Sequence, residues 1–366
     1  MRIAQVSPLF ESVPPRNYGG TERVVSYVTE ELVKLGHEVT LFASGDSITA
    51  ANLVPCSAAS LRLDAGCVDH LAHHYVLLEK VFEQASEFDI IHFHIDYLHY
   101  PLSKRLRVPN ITTLHGRLDL ADLVPLYQHY ADMPVVSISD SQRIPLPMLN
   151  WQRTVYHGLP LDLLDYSAGP GNYLAFLGRI SPEKRVDRAI EIATRVGIPL
   201  RIAAKVDKAD QAYYESQIKP LLNNNPLVEY IGEIGDNRKS EFLGNAISLL
   251  FPIDWPEPFG LAMIESMACG TPVVAFRRGS VPEVVEPGVT GVIVDDIEGA
   301  VRAVEEVSTL DRAMCRRAFE KRFTASRMAQ DYLAAYEELI EVEIDEAGVQ
   351  LEARSAVASE RVAGSI

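Results

Sequence analysis

Glu257 and Glu265 enclose seven residues within the stretch 253–278, IDWPEPFGLAMIESMACGTPVVAFRR. Pro256 and Pro258 fix their own φ and disfavour helix in the residue ahead of each, so the chain runs extended up to Phe259. A helix from about Phe259 is predicted next, with Leu261, Ile264, Met267 and Ala268 at helical spacing. Gly270 and Pro272 stop it ahead of an apolar strand, Val273–Phe276. The amides of Phe259, Gly260 and Leu261 at its front lack partners inside the helix and carry the positive end of its dipole, which suits a diphosphate. A carboxylate accepts two hydrogen bonds, so Glu265 suits the vicinal diol of a ribose, and Glu257 suits hydroxyls on a group attached to the diphosphate. By themselves the two glutamates also fit a solvated pair, since carboxylates usually lie at the surface.

Cations come from FLGRISPEKR, residues 176–185, a strand that ends in a loop. Arg179 and Lys184 stand five apart across a turn and can converge on one diphosphate, although a solvated loop accounts for them as well. Lys205 follows the apolar run LRIAA and offers a third cation at the same edge. Ahead of the first helix, Gly19 and Gly20 let the backbone approach a phosphate, or simply make a capped turn. The G-x-G-x-x-G spacing expected of a dinucleotide site is missing after the first strand, which removes support for hydride transfer. No Asp-x-Asp pair is present to hold a divalent ion on a diphosphate, so fixed cations and helix amides are expected in its place and no metal is predicted. His92 and His94 alternate on one strand, a spacing compatible with metal ligation or with packed, hydrogen-bonded imidazoles.

The background is that of an ordinary globular chain of 366 residues, 47% apolar, long enough for two domains. A formal charge of −16 argues against broad attraction to nucleic acid or anionic lipid. Cys56, Cys67, Cys269 and Cys315 are too scattered for a zinc knuckle, a redox pair or a disulfide framework. The opening MRIAQVSPLF is too short an apolar run for a signal-peptide core, and no run reaches membrane-spanning length. A cytoplasmic protein with reduced thiols, no integral membrane segment and no nucleic-acid partner is expected.

The elements that position these residues alternate between strand and helix. Strand Ile3–Val6, helix Thr21–Leu35 and strand Val39–Ala43 open the chain, followed by strands Ile90–Phe93, Ile111–Leu114, Val135–Ile138 and Thr154–Tyr156. Proline, glycine and aspartate crowd the segment from Leu159 to Gly171, which marks a domain boundary. The alternation restarts with strands Tyr173–Leu177, Leu200–Ala203, Val228–Ile231 and Ile247–Phe251, and with helices Val186–Val196 and Ala209–Leu222. A last helix, Ser326–Val342, precedes an acidic tail. Two doubly wound α/β halves with ligands beyond the carboxyl ends of the strands follow from this order.

The run EPFGLAMIESMACGTPVVA, continued by GSVPEVVEPGVTGVIV, closely resembles the donor-binding segment of glycosyltransferase family 4, and GGTERVV with EELVKLGHEVTLFASG resembles the family's opening. The resemblance implies a GT-B fold of two Rossmann-like domains facing a cleft. Residues 1–165 would form the acceptor side, 166–325 the nucleotide-sugar side, and 326–366 a helix crossing back to the first domain plus a tail. It implies a retaining transfer of a hexosyl group from a UDP-glucose-like or GDP-mannose-like donor to a hydroxyl of a sugar, glycan or other acceptor. The nucleoside-diphosphate sugar would be a co-substrate, with no further cofactor. Catalytic roles would fall to Arg179, Lys184, His115 and Glu257. Donor contacts would come from Gly19, Gly20, Lys205, Gly232, Ile234, Phe259, Gly260, Leu261 and Glu265, and acceptor-side contacts from Tyr18, Asp96 and Asp119. His157 departs from the family, which often has asparagine there. A glycan phosphorylase and a non-catalytic nucleotide-sugar sensor are the alternatives.

Overall fold

The computed structural model describes residues 1–16, 19–62 and 64–341. Tyr18, expected on the acceptor side, and the acidic tail from 342 onward lie outside the described residues. Seven strands form the first sheet: β1 (Arg2–Val6), β2 (Glu38–Ser44), β3 (Asn52–Ser57), β4 (Ile90–Phe93), β5 (Asn110–Thr113), β6 (Pro134–Ser137) and β7 (Asn150–Thr154). Their order is β3-β2-β1-β4-β5-β6-β7, parallel throughout. The second sheet holds β8 (Tyr173–Arg179), β9 (Leu200–Lys205), β10 (Val228–Gly232), β11 (Ala246–Phe251), β12 (Val273–Phe276) and β13 (Gly291–Val294), in the order β10-β9-β8-β11-β12-β13 and again all parallel. The fold is therefore GT-B, two Rossmann-like α/β units. In each sheet the winding reverses beside the first strand of that unit, and the crevice beyond the strand ends at such a switch point is where ligands bind.

Four local outcomes differ from the sequence reading. β3 went unread because Pro55 breaks the expected pattern; as an edge strand it tolerates the missing N–H. β7 runs over Asn150–Thr154, ahead of the predicted Thr154–Tyr156, in register with β6. The predicted helix Ala209–Leu222 is broken into short pieces around a wide turn at Tyr214–Ile218, because Pro220 removes an amide and crowds the carbonyl a turn before it. The helix after Phe259 starts at Leu261, since Gly260 has φ 83°, outside helical space.

The first helix, α1 (Gly20–Lys34), buries Val24, Val25, Val28 and Leu32 against the first sheet. A helix over 325–341 returns to the same sheet and buries Met328, Tyr332, Ala335 and Tyr336. Two crossings join the halves, and they lie side by side. Leu159 N–H donates to Phe323 at 2.9 Å, and Ala325 N–H donates back to Leu159 at 2.8 Å. Between the sheets, α1 faces the Leu261–Ala268 helix: a β-carbon built on Gly20 would lie 3.9 Å from Leu261 Cδ1.

Candidate active site

A cavity of about 500 Å³ opens between the halves where the strand ends of both sheets face each other. Gly19 and Gly20 come from the start of α1, His115 from beyond β5, Arg179 from the end of β8 and Lys205 from the end of β9. Glu257, Phe259, Gly260, Leu261 and Glu265 come from the turn and helix after β11, and Ile234 from beyond β10. Two helix starts, Gly20 in one half and Leu261 in the other, thus present unpaired amides to one space.

The cations around that space are held by carboxylates. Lys184 pairs with Glu257, and its ammonium lies 5.0 Å from the Trp255 ring and 5.7 Å from that of Phe251. Trp255 Nε1–H donates to the same Glu257 at 2.8 Å. Arg179 pairs with Glu183 and stands 3.6 Å from both Asp207 and Asp210. Lys205, buried at the end of β9, meets Asp207 at 2.9 Å. Each cation therefore keeps a compensating charge and is oriented before any ligand arrives.

Close backbone approach sets the position of Glu257. A β-carbon on Gly279, whose φ is 53°, would stand 2.3 Å from both the backbone N and O of Glu257. The neighbouring Ser280 N–H donates to Glu257 O at 2.9 Å. Gly260 is enclosed in the same way, with a β-carbon 2.7 Å from Met263 Cε and 3.0 Å from Phe251 Cζ. Both turns require a residue that accepts positive φ without a side chain.

Glu265 is 4% exposed and accepts from Lys239 Nζ at 2.6 Å. Lys239 also lies 3.0 Å from Asp236, and Asp236 pairs with Arg23 of α1. Sequence reasoning missed all three of these residues. Arg23 carried a signal, since a cation in the first turn of a helix opposes the dipole and calls for a nearby anion. Lys239, within the polar run DNRKSE, carried none.

The histidines form a buried polar chain. Tyr336 OH accepts from Gln5 Nε2 at 3.0 Å and lies 2.6 Å from His92 Nδ1; His92 Nε2 lies 2.7 Å from Thr113 Oγ1, which donates to Tyr332 OH at 3.0 Å. Gln5 Oε1 is 2.9 Å from His94 Nε2, and His94 Nδ1 is 2.9 Å from His115 Nε2. Both ring nitrogens of His92 and His94 are thus engaged by protein groups, which decides the open choice in favour of packed imidazoles. Among the described residues no group of three His, Cys, Asp or Glu side chains could hold a metal ion. With Gln5 Oε1 accepting, the pattern places a proton on His94 Nε2 and another on His115 Nε2. His115 Nδ1 is then an acceptor, buried and without a partner in the protein. Burial lowers the His115 pKa to about 3, so the ring is neutral. His157 stacks on His115 at 5.3 Å and meets Phe259 edge-on at 4.9 Å, joining the interdomain turn to the front of the Leu261–Ala268 helix.

Three expected residues stand elsewhere. Gly232 ends β10 with φ 74° and leaves the wall to Glu233 and Ile234. Asp119 is engaged by Arg117, at 2.6 and 2.7 Å, and borders neither this cavity nor the next. Asp96 lies in an adjoining cavity with His115.

Comparison with known proteins accounts for both halves. The family described as Glycosyl transferases group 1 matches residues 167–322, and Glycosyltransferase Family 4 matches residues 18–144. The chain is a glycosyltransferase of the family 4 type. An uncharacterized glycosyltransferase of Methanocaldococcus jannaschii is 22% identical over 88% of this chain and 95% of its own length. Among solved structures, a sucrose-phosphate synthase from Thermosynechococcus elongatus superposes with TM-score 0.78 at 17% identity, over 93% of this chain and 99% of its own. Anabaena HepE, solved in complex with UDP and glucose, superposes with TM-score 0.71 at 18% identity, over 92% and 100%. These two show the GT-B fold that the family 4 glycosyltransferase shares. Among its described residues no helix is long and apolar enough to cross a membrane.

Proposed function

We propose that this glycosyltransferase moves a hexosyl group from a nucleoside-diphosphate sugar, UDP-glucose-like or GDP-mannose-like, to an acceptor hydroxyl, with retention at the anomeric carbon and without a metal ion. One observation carries the reading: two helix starts and three cations, Arg179, Lys184 and Lys205, border the same cavity as the buried carboxylate Glu265. The difficult step is departure of a highly charged diphosphate, and donors fixed in place beforehand stabilise that charge as it develops.

In this reading Glu265 binds the ribose diol, and the backbone near Ile234 meets the base. Glu257 and the Nδ1 acceptor of His115 orient the sugar. The bond between the anomeric carbon and the phosphate oxygen breaks, the acceptor oxygen bonds to the same face of that carbon, and its proton passes to the departing phosphate oxygen. No nucleophile from the protein is needed. Residues 1–165 would serve the acceptor and 166–325 the donor, with closing of the halves excluding water.

The test is a panel of UDP- and GDP-sugars, followed by nuclear magnetic resonance of the product's anomeric centre. Turnover with retained configuration is expected, with loss in Arg179→Ala and Lys184→Ala. Wild-type rates in both variants, or an inverted product, would overturn the reading.

A further inference from the structure

We propose that the cavity adjoining the donor cleft is an acceptor pocket selective for an uncharged polyhydroxyl compound over the phosphate ester of the same compound. The proposal rests on the donor reading above and adds the class of the second substrate.

The cavity measures about 370 Å³, within the range of roughly 300–1,000 Å³ usual for small-molecule sites. It shares Phe10, Thr21, Glu22 and His115 with the donor cleft, so a molecule seated there would have its nearest hydroxyl beside the transferred sugar. Two of its polar wall groups are carboxyls. Glu22 is 5% exposed, and its carboxylate meets the N–H of its own backbone. The Asp96 carboxylate accepts from the backbone N–H of His115, in a turn that holds Asp96 at φ 49°. His115 Nδ1, assigned above to the transferred sugar, lies where the two cavities meet.

Neither lysine nor arginine lines this cavity among the described residues. The two carboxyls call for a ligand that brings hydrogens, and Thr21 and Tyr97, which also line the cavity, carry hydroxyls that donate or accept, a mixture that suits a polyol. A phosphate dianion would bring only acceptors and negative charge to two carboxyl groups in a desolvated space, where like charges repel most strongly. Burial already pushes the Glu22 carboxyl up to about 7 and that of Asp96 up to about 6. A space that already disfavours its own negative charge disfavours a second anion further.

The experiment uses the full chain. UDP and GDP affinities are measured first by calorimetry, which tests the donor reading separately. With the tighter-binding nucleotide saturating, affinities are then measured for glucose and glucose 6-phosphate, and for myo-inositol and its 1-phosphate. At least one neutral compound is expected to bind tenfold or more tightly than its phosphate ester. Asp96→Asn, which tolerates the left-handed turn, is expected to weaken that binding at least fivefold while nucleotide affinity stays within twofold. Equal or tighter binding of the ester, no binding of either neutral compound, or an unchanged affinity in Asp96→Asn overturns the proposal.

Discussion

Arg23 and Asp236 pair across the cleft although 213 residues separate them in sequence. The pair continues through Lys239 to Glu265, so the carboxylate assigned to the ribose is connected by charge to the first turn of α1 in the opposite half.

Removing Arg23 should therefore affect both stability and donor binding. Its side chain is 4% exposed and that of Asp236 30%, so Arg23→Ala is expected to cost about 2–3 kcal/mol, below the 3–5 of fully buried pairs. Urea denaturation checks the cost. Donor KM should rise severalfold, and an unchanged KM would show that the bridge does not reach Glu265.

Arg179 and Lys184 are expected to act on the departing diphosphate. Arg179→Ala and Lys184→Ala should each lower kcat by about a hundredfold. Glu265→Ala should mainly raise donor KM. Steady-state kinetics with the preferred donor separates the two classes, and the assignment fails if all three variants change the same parameter alone.

Gly279→Ala introduces a β-carbon against the Glu257 backbone at a positive φ. The strain is expected to cost about 1–3 kcal/mol and to shift Glu257 together with its partner Lys184. A lower melting temperature with reduced kcat is the expected result. A variant that melts and turns over like the wild type would show that the turn accommodates a side chain.

Stability should fall with acid from about pH 6.5 downward. Burial holds His92, His94, His99, His115 and His157 well below the ordinary imidazole range, so the unfolded chain takes up protons there that the native chain refuses. Each such group removes up to about 1.4 kcal/mol per pH unit. Glu22 and Asp96, raised to about 7 and about 6, act in the opposite sense, because the native state binds their protons first as the pH drops. Five strongly shifted imidazoles against two carboxyls leave a net loss. Urea midpoints measured from pH 8 to pH 5 should be highest at the alkaline end, and a flat profile would contradict the assignment.

The central strands and the approach to the cleft were legible because they depend on local pattern. Ile3–Val6 and Ile247–Phe251 are apolar runs in buried positions, and the glycines and prolines around 256–272 mark their own turns. The partners of charged residues were not legible. That Lys184 meets Glu257, Lys239 meets Glu265 and Arg23 meets Asp236 follows from the way two separate sheets face each other. Spacing along one chain carries no trace of that arrangement. The break near Pro220 and the left-handed Gly260 were open to local reasoning, and both shift helix boundaries that periodicity alone placed too generously.

The paired crossings at Leu159 and at Phe323–Ala325, hydrogen-bonded to one another, have a mechanical consequence. A single tether would let the two halves swivel in any direction. Two strands of backbone fastened side by side resist twisting and favour bending about one axis, so a closing of the halves would carry the helix starts at Gly20 and Leu261 toward each other along a single arc.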